Sequence, residues 1–220
     1  MRAALAEAKP YARGRMLDIG CGLRPYQNIF SEVTTSYIGM DYPTAREKAR
    51  PDLIADALAL PIAGGSIDTT LATELMEHLP DPNQFLKQIA TVLRPSGTFI
   101  FSVPFMEPLH EEPRDYFRFT PYSLRAMLTQ HGFEVQNIAA KGGWWSVVLG
   151  SFVSQGVYDA VNPLQPDGSR RDGFMGLLAL PICAFVQWLG HALDRIGNSS
   201  KYTLGYVVIA RLRSDSQSTL

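Results

Sequence analysis

Apolar residues recur at helical spacing through PNQFLKQIATVL (82–93), where Phe85, Leu86, Ile89, Val92 and Leu93 share a face. The RPSG that follows carries Pro95 and Gly97, breakers expected to end that helix. A second helix is predicted over TPYSLRAMLTQHG, with Thr120 as N-cap, Pro121 at the first helical position and Gly132 just past the end. Residues 3–13 predict a short leading helix. Short apolar runs predict strands at RMLDI (15–19), SYIGM (36–40), DLIA (52–55), IDTTLA (67–72), GTFIFSV (97–103), FEVQNI (133–138) and YTLGYVVIARL (202–212). Strands alternating with helices predict an α/β fold with a mostly parallel sheet. There is no internal repeat and no low-complexity block.

Residues 140–201 break this rhythm. KGGWWSVVLGSFVSQGVYDAV and the polar NPLQPDGSRRDG precede an apolar stretch, Phe174 to Leu193, that contains no Lys, Arg, Asp or Glu. Its length suffices to span a bilayer, although Pro181, Gln187, Gly190 and His191 interrupt it. Three readings stay open: a helical insertion packed on the domain or in a homodimer interface, contact with a membrane surface or lipid-like substrate, and a transmembrane helix. The predicted organisation is one domain over 1–220, with a core of 14–139 and 202–212, the insertion at 140–201, and a disordered tail at 213–220.

Composition narrows the function. The chain has 220 residues, 46% of them hydrophobic and 19% charged, which suits a folded domain with a real core. The net charge of -1 and the lack of a basic run argue against a nucleic-acid partner. Two cysteines, Cys21 and Cys183, form no C-x-x-C pattern, so a disulfide framework is not expected and a reducing compartment fits. MRAALAEAKPYARGRM lacks the apolar core of a signal peptide. A cytoplasmic protein is expected, peripheral to the membrane if the apolar segment touches lipid.

LDIGCGLRPY (17–26) is the strongest local signal: an apolar strand, an acid, Gly20-Cys21-Gly22, then a helix that Pro25 would open. The glycines allow a sharp turn and close approach to a ligand. Asp41, 19 residues past Gly22 at the end of the second strand, is placed to bind ribose hydroxyls. Pro25 stands where a dinucleotide site would carry its third glycine, which favours a nucleoside ligand without pyrophosphate. Asp56, in DALALP, follows the third strand, where it would accept from an adenine amino group. Taken singly, Asp18 reads equally as a strand-end cap, and Asp41 and Asp56 as turn acids.

As a set, these features resemble the class I S-adenosylmethionine-dependent methyltransferases of the type 11 group, closely over about residues 14–139. The resemblance implies a Rossmann-like, doubly wound seven-stranded sheet whose last strand is antiparallel, with S-adenosyl-L-methionine as cofactor. It implies that Asp18, Gly20, Cys21 and Gly22 hold the methionine part and that Asp41 and Tyr42 hold the ribose side. Asp56 and Ala57 would flank the adenine, and Thr73 and Glu74 would line the sulfonium side. GCGLRPY, PFMEPLHEEPRDYFRFT and KGG also match a recognisable subgroup of that family.

The loop after the fifth strand, SVPFMEPLHEEPRDYFRFT, lies at the carboxyl end of the sheet and belongs to the acceptor substrate. An oxygen acceptor needs a base titrating near neutrality. His110 is the candidate, oriented by Glu111 or Asp115, with Tyr116, Phe117 and Phe119 as pocket walls. The alternative is structural: His110 caps a turn and Asp115 pairs with Arg114 or Arg118. ELMEH (74–78) spaces Glu74, Glu77 and His78 so that all three would share one face of a short helix. That motif resembles the metal-binding one of quinone-biosynthetic O-methyltransferases, although the family commonly carries Glu-His here without metal. The expected activity is O-methylation of a small or medium-sized, partly apolar acceptor, a natural product, glycan-linked or isoprenoid. The alternative is a cofactor-binding enzyme that runs a cyclisation or elimination.

Overall fold

A computed structural model of the chain describes residues 1–42, 51–162, 174–196 and 201–214. The chain opens with α1 (Arg2–Ala8) and a 3-10 turn, then enters β1 (Gly14–Ile19). A single-turn helix, α2 (Gln27–Phe30), leads to β2 (Thr34–Asp41), β3 (Leu53–Ile54), β4 (Ile67–Thr73), α3 (Pro82–Val92) and β5 (Leu93–Pro104). Next come α4 (Pro121–Gln130), β6 (Phe133–Lys141) and a π-helical segment, Ser146–Ser154, that runs directly into α5 (Gln155–Val161). α6 (Phe174–Asp194) and β7 (Gly205–Leu212) complete the chain.

The seven strands form one sheet in the order β3-β2-β1-β4-β5-β7-β6, six parallel and the last antiparallel. The predicted fold class is therefore the observed one. The chain runs outward from β1 to β3, then returns to β4 on the other side of β1. This reversal leaves a crevice at the carboxyl ends of β1 and β4, where open α/β sheets bind ligands.

The described residues fall into two compact units: Met1–Pro104 with Leu109–Ala139 and Tyr206–Leu220, and Phe105–Pro108 with Ala140–Gly205. The first unit carries the sheet. One cluster of its core joins Leu5 and Ala8 of α1 to Met16, Leu71, Ile100, Val207 and Ile209 of four strands. In another part, Phe99 stacks on Phe101 with ring centroids 4.4 Å apart and packs near Phe85 and Phe133. The second unit pairs the helical run Ser146–Val161 with α6.

α3 ends at Val92, just ahead of RPSG as expected, but the start of β5 and the helix at Pro25 differ from the sequence reading. The RPSG segment does not close α3 as a separate turn; it lies inside β5, with Ser96 at φ +61°. There Ile67 pairs with Leu93 but Thr69 with Thr98, so the breakers are absorbed as a bulge in the ladder. The helix expected at Pro25 shrinks to the one turn of α2, which starts after Tyr26. Thr120 caps α4 as expected: its side chain accepts from Ser123 N, and the Ser123 side chain accepts from Thr120 N. Arg213, in the tail expected to be disordered, donates its backbone N–H to Gly132 O; residues 215–220 lie outside the described residues.

Candidate active site

The turn after β1 is pinned to the end of β2. Gly20 N and Cys21 N both donate to Met40 O, and Gly22 N donates to Asp41 Oδ2 at 2.8 Å. Asp41 Oδ1 accepts from Tyr42 N, so one carboxylate ties the glycine turn to the next strand's exit. Gly22 sits at φ +49°, and a Cβ built there meets nothing within 4 Å, so the turn borders open space. Arg24 braces the turn through an ion pair to Asp52 at 2.9 Å, and Asp52 also accepts from Gly39 N. The sequence reading missed this brace, because Asp52 falls inside a predicted strand.

Asp18 is buried at 1% exposure and accepts from the Tyr37 hydroxyl through Oδ2. Its other oxygen, Oδ1, is buried with no hydrogen-bond partner. Burial pushes this carboxyl up to about 6; the Tyr37 hydrogen bond and the Arg24 charge pull the other way. Burial and the neighbouring Asp18 charge also push the Tyr37 phenol up. The Cys21 thiol is pushed up to about 11, first by burial and then by the Asp18 and Asp41 charges, so it is protonated and unreactive at neutral pH. A buried carboxylate oxygen with an unused lone pair beside the glycine turn calls for a cationic donor. An amino-acid ammonium supplies one, and the open space at Gly22 leaves room for the rest of such a ligand.

Further along the crevice, Asp56 caps its own turn, accepting from Leu58 N, beside buried Ala57. Glu74 sits just past β4 at φ +48° and accepts from the Ser102 hydroxyl at 2.6 Å. That backbone breaks the expected common face of Glu74, Glu77 and His78. Only Met76–His78 form a 3-10 turn, with Glu74 outside it and tied to β5. The cluster that does assemble is Glu77, His78 and His110, with one ligand atom from each lying within 4.8 Å of the others.

His110 arrives on the loop before α4, its ring edge-on to His78 at 4.9 Å. Asp115 sits against it: Oδ2 accepts from His110 N at 3.0 Å and lies 3.4 Å from Nδ1. Asp115 also takes both terminal nitrogens of Arg118, at 2.5 and 2.7 Å. Asp115 thus contacts both His110 and Arg118. Arg118's hydrogen bonds hold the Asp115 carboxyl down at about 2, so it is ionised throughout the working range. Glu111 is exposed at φ +52°, with its carbonyl accepting from Arg114 N. Tyr116 is half-exposed and donates its backbone N–H to Glu77 O, whereas Phe119 is buried and packs as core.

The fold and the glycine turn define an α/β protein with a crevice at the carboxyl ends of β1 and β4. Residues 17–101 match the family described as Methyltransferase domain. A probable S-adenosylmethionine-dependent methyltransferase of Mycolicibacterium smegmatis is 30% identical over 135 residues, covering 56% of this chain and 52% of that protein. A ubiquinone biosynthesis O-methyltransferase of Ruegeria pomeroyi is 29% identical over 123 residues, 51% of this chain and 48% of that protein. The chain spans about half the length of these curated relatives. The crystal structure of the [4+2]-cyclase SpnF shares the fold, with a TM-score of 0.61 at 15% identity over 95% of this chain and 79% of that one. Over residues 17–101 the chain is thus similar to methyltransferase domains, and the names of these relatives support S-adenosylmethionine as the cofactor of that domain.

Proposed function

We propose that the chain transfers the sulfonium methyl group of S-adenosylmethionine to a hydroxyl oxygen of a small or medium-sized, partly apolar acceptor. The observation that carries this reading is the His110–Asp115 pair, 3.4 Å apart on the loop that follows β5. In the transfer the methyl–sulfur bond breaks as the methyl–oxygen bond forms, and the sulfonium becomes the neutral thioether of S-adenosylhomocysteine. The hydroxyl proton passes to the His110 imidazole, and ionised Asp115 offsets the charge that results. The protein's remaining task is in-line approach and exclusion of water.

Cofactor roles follow from the same crevice. Asp18 takes the ammonium, and the backbone of Gly20, Cys21 and Gly22 passes close beneath the methionine part. Asp41 and Tyr42 border the ribose, Asp56 and Ala57 the adenine, and Thr73 and Glu74 the sulfonium side. Calorimetric titration with S-adenosylmethionine and S-adenosylhomocysteine tests this part: both bind the wild type, and Asp41→Ala loses both. No binding by the wild type overturns it. Incubation with labelled cofactor and a panel of catechol, phenol, sugar and isoprenoid alcohols then tests transfer. Binding without formation of S-adenosylhomocysteine would assign a non-methylating reaction.

A second reading is favoured by the Glu77–His78–His110 cluster. The Arg114 carbonyl, 2.8 Å from His78 Nδ1, can only accept, so His78 carries its proton there and keeps the Nε2 lone pair on the side of Glu77 Oε1, 3.8 Å away. Such outer hydrogen bonds set up histidines for metal ligation. A divalent cation held by these three residues would lower the acceptor hydroxyl's pKa and replace the base. Turnover that survives chelation supports His110 as base; turnover lost on chelation and restored by manganese or zinc supports the cation.

A further inference from the structure

α6 is apolar almost throughout, and only 17% of Leu177–Asp194 is buried. A helix with that composition normally lies inside a core or inside a bilayer. Its exposed large side chains are Leu177, Leu178, Leu180, Ile182, Phe185 and Trp188. At about 100° per residue they cover roughly 200° of the helix circumference. One packed neighbour takes a stripe of about 100°, so a single protein partner leaves half of this surface in water.

The polar side chains of the same helix reach across to the facing run, and Gln187 and His191 themselves stay exposed. Gln187 Nε2 donates to Ser154 Oγ at 3.1 Å, and His191 Nδ1 shares a hydrogen bond with Ser146 Oγ at 2.8 Å. Asp194 accepts from the backbone of Gly143, Trp145 and Ser146, the start of the facing helical run. Ser154 and Cys183 exchange side-chain-to-carbonyl bonds across the same seam. The buried positions of α6 are small: Ala179, Cys183 and Gly190. A Cβ on Gly190 would stand 2.9 Å from Trp145 O, so the two backbones meet there. The facing run exposes Phe152, Val153 and Val157 outward in turn.

Small buried residues and hydrogen bonds linking the two helices, with large apolar side chains outside, match helices packed in lipid. Trp144, Trp145 and Tyr202 stand near the end where α6 finishes and the facing run begins, Trp144 against Tyr202, with Lys141, Arg195 and Lys201 adjacent in sequence. Aromatic and basic residues of this kind favour the headgroup layer. The 21 residues of α6 extend about 31 Å at 1.5 Å per residue, close to the roughly 30 Å of a hydrocarbon core. We infer that the pair formed by Ser146–Val161 and α6 is an inside-out helical hairpin that seats in the apolar phase of a lipid bilayer. The inference does not depend on methyl transfer.

The test is cell-free synthesis of the full chain with vesicles of phosphatidylcholine and phosphatidylglycerol, an alkaline carbonate wash, and flotation. The wild-type chain floats with the vesicles, and phosphatidylcholine brominated on its acyl chains quenches its tryptophan emission. Leu178→Asp combined with Phe185→Asp cuts the floated fraction at least tenfold and abolishes the quenching, while S-adenosylmethionine binding by the sheet unit is unchanged. The quenching arm needs no variant, so a misfolded variant does not shield the inference. A wild-type chain that stays in the soluble fraction unquenched overturns it. If light scattering then finds a stable dimer, the apolar surface belongs to a second copy.

Discussion

The two units solve the burial problem in opposite senses. In the sheet unit, Phe99 is inaccessible and stacked among aromatic neighbours, and the strands carry their apolar side chains inward. In the helical unit, Phe185 is 59% exposed and stacked on an equally exposed Trp188, while hydroxyls, an amide and an imidazole hold the seam. Overall hydropathy does not distinguish these arrangements. The side on which each unit puts its large apolar side chains does.

The largest expected contrast is between the two phenylalanines. Phe99→Ala should lower stability by about 4 kcal/mol, a core truncation with a residual cavity. Phe185→Ala should change it by less than about 0.5 kcal/mol, as at an exposed site. Denaturation of both variants in mild detergent checks this, and equal losses would break the contrast.

Next comes the charge buried in the sheet unit. Asp18 binds its proton more tightly folded, at about 6, than unfolded, at 3.8. The folded state therefore holds the extra proton between those values, and stability falls as pH rises through that window. The loss is complete above about 6 and amounts to about 3 kcal/mol. Asp18→Asn should flatten that slope. Under the proposed role of Asp18, the same proton must leave before the carboxylate can pair with an ammonium. Affinity for S-adenosylmethionine should thus fall by about fivefold as pH drops from 6 to 5, as titration calorimetry at stepped pH would show.

The smallest effects compare polar contacts. Thr120→Ala removes the α4 cap and should cost about 1 kcal/mol. Gln187→Leu removes a seam hydrogen bond and should cost about 0.6 kcal/mol, the typical value in lipid. A Gln187→Leu loss well above the Thr120→Ala loss would argue that the seam is folded in water.

Much of the sheet unit could be read from its residues because its signals are local. The strand runs, the Thr120 cap and the Gly22–Asp41 spacing each depend on neighbours close in sequence or on one strand-to-strand step. The chemistry at His110 was less legible. Glu77, His78 and His110 converge because one backbone kink at Glu74 sends Glu74 toward Ser102, and because a long loop brings His110 back. Periodicity, which assumed a regular helix over ELMEH, carries no sign of either. The helical unit was illegible in a different way. Gln187 and His191 look like interruptions of an apolar run, yet Cys183, Gln187, His191 and Asp194 recur at i, i+4, i+8 and i+11, a polar stripe down one face.

The hydrogen bond from Tyr116 N to Glu77 O, with its companion from His78 to the Arg114 carbonyl, sews the His110 loop to the turn after β4. The Tyr116 amide therefore acts as a clock. Its hydrogen exchanges with deuterated solvent only when the loop lifts, so its rate counts how often the loop parts from the turn after β4, and any ligand that slows it is bridging the two edges of that seam.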